Sequence, residues 1–198
     1  MTYFIFEFEW LTIMHLLGSK LIMERVPVFI MRGLPGSGKT TFAKRLQMVF
    51  EDIGYNVVYI SRDELRESYA KFRGITYEET FVKHESEIWE KWWRLCEIAF
   101  NCKTPRKAII VDTQFITQRD IMFILNYMCG IEPNNHYESY DDWAKAHEYR
   151  VRVVEFPEVI DNHRNVAQNK IKEFKKAFND NRYLIERLIG EKNIIRVK

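Results

Sequence analysis

Gly33-Leu34-Pro35-Gly36-Ser37-Gly38-Lys39-Thr40 spells G-x-x-x-x-G-K-[ST] between an apolar run and a helix-like run. That pattern belongs to a loop that cradles the phosphates of a nucleoside triphosphate. Its glycines admit backbone conformations closed to residues with a β-carbon, so successive N–H groups can converge on phosphate oxygens. Lys39 adds a positive charge. The loop then opens onto a helix N-terminus, where unpaired N–H groups and the macrodipole favour an anion.

Both flanks agree with this reading. Val26-Pro27-Val28-Phe29-Ile30-Met31 is the short, β-branched-rich apolar run of a strand buried on both faces. From Thr41 to Ile53 the apolar residues Phe42, Leu46, Val49, Phe50 and Ile53 recur at helical spacing, leaving Lys44, Arg45, Glu51 and Asp52 for solvent. Further strands are expected over residues 56–60, 107–112, 150–156 and 193–197. Gly54 closes the first helix. Ser61 begins a helix that runs to about Ala70, with Glu64 completing an S-x-x-E capping box. Helices are also expected over residues 81–100, 118–128, 141–148 and 171–189, and from Pro157, with a loop insertion at residues 133–140. Strands alternating with helices predict an α/β domain with a parallel sheet covered on both faces.

The 198 residues suit one domain with a full core. Thirty basic residues against 28 acidic ones leave a net charge of +2, so any nucleic-acid binding must rest on a local groove. Cys96, Cys102 and Cys129 form no C-x-x-C pair, which points to reduced thiols packed inside an intracellular, cytoplasmic protein. The five histidines show no zinc-ligand spacing. In residues 1–22, Phe4, Phe6, Phe8 and Trp10 alternate with Ile5, Glu7 and Glu9, a strand-like period. The two glutamates break the run short of a membrane span, and no basic start marks a secretory signal. This stretch reads as an N-terminal extension of uncertain structure ahead of a domain at 23–198, with no membrane partner.

In an open parallel sheet the ligand sits at the carboxyl ends of the strands. Asp63 and Arg66 follow the second strand, three apart and so on one helix face. An acid in the first turn also complements the helix dipole, which leaves Asp63 two explanations. Asp112 closes a hydrophobic strand, the usual place for an acid that holds Mg²⁺ or its water shell. On the 81–100 helix, Ile88, Trp89, Trp92, Trp93, Leu95, Cys96 and Ala99 share a broad face, and the tryptophans read as helix packing ahead of a base-stacking platform.

Taken together, the phosphate loop, Ser61-Arg62-Asp63-Glu64-Leu65-Arg66, Ile110-Val111-Asp112-Thr113-Gln114 and Phe156-Pro157 followed by Arg164-Asn165 resemble the kinase domain of phage-type polynucleotide 5′-hydroxyl kinases. The resemblance runs from about residue 26 to 178. It implies a P-loop NTPase three-layer sandwich with a parallel five-stranded sheet and a helical lid. It also implies transfer of the γ-phosphate of ATP, with Mg²⁺, to the 5′-hydroxyl end of a nucleic acid. By that resemblance Gly33, Gly36, Ser37, Gly38, Lys39, Thr40 and Thr41 bind the nucleotide, Lys39 holding the β- and γ-phosphates and Thr40 the Mg²⁺ together with Asp112. Asp63 matches the general base, Arg66 the arginine that grips the acceptor phosphate with Asp112 orienting it, and Arg164 a catalytic lid residue. Gln114 stands where the family has asparagine, and Gln168 where it has a second lid arginine, a charge Lys170 or Lys172 could replace. No D-x-D-x-T phosphatase motif occurs. Fold and loop are equally compatible with a kinase of a nucleoside, nucleotide or other small metabolite, and with a non-catalytic nucleotide-binding protein.

Overall fold

In the computed structural model, which describes residues 25–129, 149–157 and 168–197, Val26–Gly33 forms β1 and runs straight into the phosphate loop. Helix α1 (Lys39–Asp52) follows, then β2 (Asn56–Ser61), α2 (Arg62–Arg73), α3 (Tyr77–Lys83), α4 (Glu85–Asn101) and β3 (Lys107–Asp112). After β3, α5 (Gln118–Ile121) passes directly into a π-helical stretch, Met122–Met128. Strand β4 (Tyr149–Phe156), α6 (Gln168–Asp180), α7 (Arg182–Ile189) and β5 (Ile194–Arg196) complete the described chain. The strands pair in parallel in the order β2-β3-β1-β4-β5. The chain therefore fills one side of β1 and then the other, which puts the switch in strand order at the carboxyl end of β1.

The pleat divides β1 between two cores. Val28 and Ile30, with Ile109, Val111, Val151 and Val153, face Trp92, Cys96 and Ala99 of α4, Ile124 and Leu125 of the π-helical stretch, and Ile185 and Ile189 of α7. Phe29 and Met31, with Ala108, Ile110, Val154 and Phe156, face Phe42, Ala43, Leu46 and Phe50 of α1. A sheet buried on both faces explains why its strands are near-continuous hydrophobic runs. This is the three-layer arrangement the sequence predicts.

Three elements differ from expectation. The 81–100 helix begins later and is preceded by a separate helix, because Thr76 and Glu79 form a reciprocal capping box that starts α3 at Tyr77 and His84 breaks the path before Glu85. The 171–189 helix is two, broken at Asn181, whose side-chain amide donates to the carbonyls of Ile116 and Ala177 at 3.0 Å each. At α2, the Ser61 hydroxyl accepts from the Glu64 N–H at 3.3 Å as expected, while the Glu64 carboxylate goes to Lys44 at 2.8 Å. Cys96 and Cys129 are buried thiols, but Cys102 is exposed beyond the end of α4. Burial pushes the Cys96 thiol up to about 12, so it stays protonated and apolar. Among the described residues no helix is long and apolar enough to cross a membrane. The expectations for residues 1–22, 133–140, 141–148, the helical stretch after Pro157 and Arg164 fall outside the described residues.

Candidate active site

The phosphate loop is shaped by three glycines for two reasons. Gly36 and Gly38 have φ of 72° and 87°, in the left-handed region that side chains disfavour. Gly33 is required by proximity, since a β-carbon there would lie 2.5 Å from the Phe156 carbonyl oxygen. Its N–H donates to the Gln114 carbonyl at 3.0 Å, tying the start of the loop to the end of β3. That contact is made by backbone, so Gln114 serves it as well as asparagine. Leu34 is buried against Ile116 and Phe178, which fixes the outer edge of the loop to α6.

Lys39 is largely buried, and its ammonium donates to the Leu34 carbonyl at 2.7 Å, across the mouth of the loop. Thr40 and Thr41 are exposed in the first turn of α1. The Thr40 hydroxyl lies near enough to Asp112 to favour its charged form. Strand register places Asp112 beside Met31 of β1 and Ser61 of β2, next to the loop and to the start of α2. The Tyr59 hydroxyl donates to its second oxygen at 2.7 Å. Burial raises the Asp112 carboxyl above its ordinary value, against the opposing pull of Thr40, Tyr59 and Lys39, and the charge of Asp63 raises it further. Burial and the nearby Asp112 raise the Tyr59 phenol as well, so it remains a donor. Lys39 and Asp63 are thus each within electrostatic reach of Asp112.

Asp63 lies in the first turn of α2, where the Tyr77 hydroxyl donates to its Oδ1 at 2.9 Å. Arg66, one turn on, is only 2 % exposed. Its guanidinium pairs with Glu85, approaches the Thr80 hydroxyl at 3.4 Å and lies 3.8 Å from the Phe81 ring centroid. The resemblance has Asp112 orienting Arg66; in the structure Arg66 is paired with Glu85, and Asp112 accepts from Tyr59. Helix α3 and the first residue of α4 lie across both Asp63 and Arg66. Arg62 pairs with Asp120 at 3.1 Å. Lys170 is exposed and pairs with Glu173 at 3.3 Å, while Lys172 is exposed on α6.

Sequence reasoning missed a buried charge row beside the loop. Arg32, Glu155 and Arg196 stand at matched positions on β1, β4 and β5. Arg32 is 0 % and Glu155 2 % exposed; they pair at 2.7 Å, with Arg196 at 3.4 Å on the other side of the carboxylate. Arg32 also stacks 3.7 Å from the Phe178 ring centroid and donates to the Phe178 carbonyl, linking α6 to the strand that carries the loop. Burial lowers its pKa to about 10, still charged at neutral pH. The available signal was a charged residue at or one short of the end of three strands, Arg32, Glu155 and Arg196, although β4 also carries Arg150 and Arg152.

Among the described residues no three His, Cys, Asp or Glu side chains form a metal cage. A magnesium ion at such a loop draws most of its ligands from phosphate and water oxygens, needing only one or two protein groups. The Thr40 hydroxyl beside Asp112 fits that requirement.

A glycine loop and lysine at the carboxyl end of a central parallel strand, leading into a helix and flanked by a strand-terminal aspartate, define a P-loop NTPase fold with a nucleotide-binding loop. A family model described as "AAA domain" (AAA_33) matches residues 28–182, and the chain belongs to that family. Among solved structures it is similar to Kti12 of Chaetomium thermophilum, crystallised in complex with ADP-AlF3, at 14 % identity over 86 % of this chain and 88 % of that one, TM-score 0.50. It is also similar to APE1195, at 16 % identity over 88 % and 86 %, TM-score 0.46. At these identities the likeness is one of fold. No curated protein matches.

Proposed function

We propose that the protein is an ATP-dependent kinase that phosphorylates the 5′-hydroxyl of a polynucleotide. The observation that supports this best is the placing of Asp112 by strand register, beside Met31 of the strand that runs into the phosphate loop and beside Ser61, which caps the helix carrying Asp63 in its first turn. A phosphate cradle and a carboxylate that could accept a proton therefore stand at the carboxyl ends of strands of one sheet, with Asp112 between them. Lys39 would hold the β- and γ-phosphates, and Thr40 with Asp112 would hold Mg²⁺, which supplies charge neutralisation on the phosphate oxygens. Asp63 would take the proton as the 5′-oxygen forms its bond to the γ-phosphorus, while the bond from that phosphorus to the β,γ-bridging oxygen breaks and ADP leaves with the electron pair. Arg66 would grip the acceptor phosphate after releasing Glu85, and Arg164 would meet the transferring phosphoryl group from the lid. Such chemistry needs positioning and charge stabilisation more than covalent help.

One observation favours a second reading, a kinase of a small metabolite. Arg66, the acceptor grip implied by the resemblance, is already satisfied by Glu85. The discriminating experiment is γ-labelled ATP with Mg²⁺ against 5′-hydroxyl oligonucleotides, their 5′-phosphorylated counterparts, nucleosides and nucleoside monophosphates. Label on the 5′-hydroxyl oligonucleotides alone is expected. Label confined to monomers would select the second reading, and none at all a nucleotide-binding protein without transfer.

A further inference from the structure

The two side chains assigned to the acceptor are both engaged from within the chain, by groups with an acceptor's own chemistry. The Tyr77 hydroxyl donates to Asp63 Oδ1 at 2.9 Å, the bond and the distance at which a general base receives an alcohol. The Glu85 carboxylate pairs with the buried Arg66 guanidinium, whose planar fork takes a carboxylate or a phosphate alike. Asp63 and Arg66 lie one turn apart on α2, and the chain bends at His84, so that Tyr77 of α3 and Glu85 of α4 reach them together.

Helix α3 is also hung so that it can swing. Before it, Gly74 caps α2 at φ 66°, with nothing within 4 Å of where a β-carbon would sit. After it, the Tyr69 hydroxyl lies 3.2 Å from His84 Nδ1 and donates to Glu87 at 2.5 Å, which pins the corner between α3 and α4 to α2. The helix keeps its own structure about that pivot, since Thr76 and Glu79 cap it reciprocally and Lys83 pairs with Glu79 at 3.0 Å. Thr80 is the one fully buried side chain it contributes, while Tyr77 is half-buried and Phe81 exposed. Glu85, past the corner, is half-exposed and leaves Arg66 by turning its side chain alone.

We propose that α3 is an autoinhibitory strap that occupies the acceptor site as an internal mimic, Tyr77 giving Asp63 a hydroxyl and Glu85 giving Arg66 an anion, and that an acceptor binds by displacing both. The strap denies Asp63 to water, so that ATP at the phosphate loop is not hydrolysed before an acceptor arrives. The proposal rests on the reading of Asp63 and Arg66 as the acceptor side of a kinase, and it assigns the regulation of that same site.

Two measurements test it, one kinetic and one without turnover. Tyr77→Phe removes the hydroxyl and keeps the ring that packs 5.3 Å from Phe81. With a 5′-hydroxyl decanucleotide it is expected to lower the acceptor KM about tenfold, the worth of one hydrogen bond, with kcat and the KM for ATP unaltered. Hydrolysis of ATP without an acceptor should rise. An unchanged acceptor KM would overturn the strap, and so would a fall in kcat at constant KM, which marks a residue that orients the base. In wild-type protein with ADP and Mg²⁺, saturating decanucleotide should speed amide hydrogen exchange in residues 77–83 and leave β1 and β3 as they were. Unchanged or slower exchange there would mean that α3 stays in place over the acceptor, and would equally overturn the proposal. Transfer to the decanucleotide together with either contrary result removes the strap and leaves the kinase. Transfer confined to nucleosides or nucleoside monophosphates, with exchange in residues 77–83 sped by that monomer, keeps the strap and removes the polynucleotide. No transfer to any acceptor and no change in exchange would remove both.

Discussion

On the donor side of the cleft, the phosphate loop is fixed from every direction: Gly33 against β4, Leu34 against α6, and Thr40 against Asp112 at the end of β3. On the acceptor side, Asp63 and Arg66 are held by Tyr77, Thr80, Phe81 and Glu85, from a short helix and the first residue of the next. The donor elements grow from strands buried on both faces. Helix α3 instead carries Phe81 and Val82 at 49 % and 83 % exposure. Few buried contacts place such a segment among the parts of a protein that open at least cost. The contrast is that the nucleotide loop is built into the core, whereas acceptor binding at Asp63 and Arg66, as proposed, would require side chains of α3 and α4 to give way.

The largest effect should follow from breaking the donor side. Lys39→Ala is expected to lower transfer by about 10³-fold, as for loss of a charge aimed at the transition state, and to weaken ATP binding in calorimetry. An unchanged ATP affinity would show that the lysine bonded to Leu34 never turns to the phosphates.

Next comes the charge row under the loop. Glu155→Ala leaves Arg32 buried without its carboxylate, which should cost about 3–5 kcal/mol, read from denaturant unfolding. A loss no larger than that of an exposed ion pair would mean that Arg32 finds water or another acceptor.

A smaller effect sharpens the contrast between the two sides. Glu85 is half-exposed, so its pair with Arg66 is worth at most about 1 kcal/mol. Glu85→Gln should therefore lower KM for oligonucleotides by up to roughly fivefold, leaving KM for ATP unaltered. A raised KM would mean that Glu85 helps to build the acceptor site.

The smallest is a stability effect with a pH signature. Burial raises the Asp112 pKa above its unfolded value, so the charged form costs stability once pH rises through the carboxylate range, and that cost persists at neutral pH. Asp112→Asn should therefore melt at or a few degrees above wild type at pH 8. The difference should vanish below about pH 3.9, where both folded and unfolded Asp112 are protonated. A lower melting temperature at pH 8 would show that the pull of Thr40 and Tyr59 outweighs burial.

Much of the donor side was legible in the sequence because it depends on local rules. Glycines at fixed spacing, an apolar strand before them and a 3.6-residue period after them suffice to place the loop, and Asp112 ends its strand at the expected residue. The acceptor side was less legible because its contacts join residues distant along the chain. Nothing local to Arg66 announces Glu85 as its partner, although Thr76-Tyr77-Glu78-Glu79 does carry the capping signature that starts α3. The row of Arg32, Glu155 and Arg196 likewise exists only once β1, β4 and β5 are in register. The helix split at Asn181 follows from bonds to Ile116, 65 positions earlier, and no periodicity reports such a bond.

The account turns on Asp63 and the Lys39 cradle serving one phosphoryl group in separable roles. The most direct test is a paired measurement on Asp63→Asn: ATP·Mg²⁺ affinity by calorimetry, and single-turnover label transfer to a 5′-hydroxyl oligonucleotide. The account predicts affinity within about twofold of wild type with transfer reduced by about 10²–10⁴-fold, the range for loss of a general base. Transfer at the wild-type rate would contradict it.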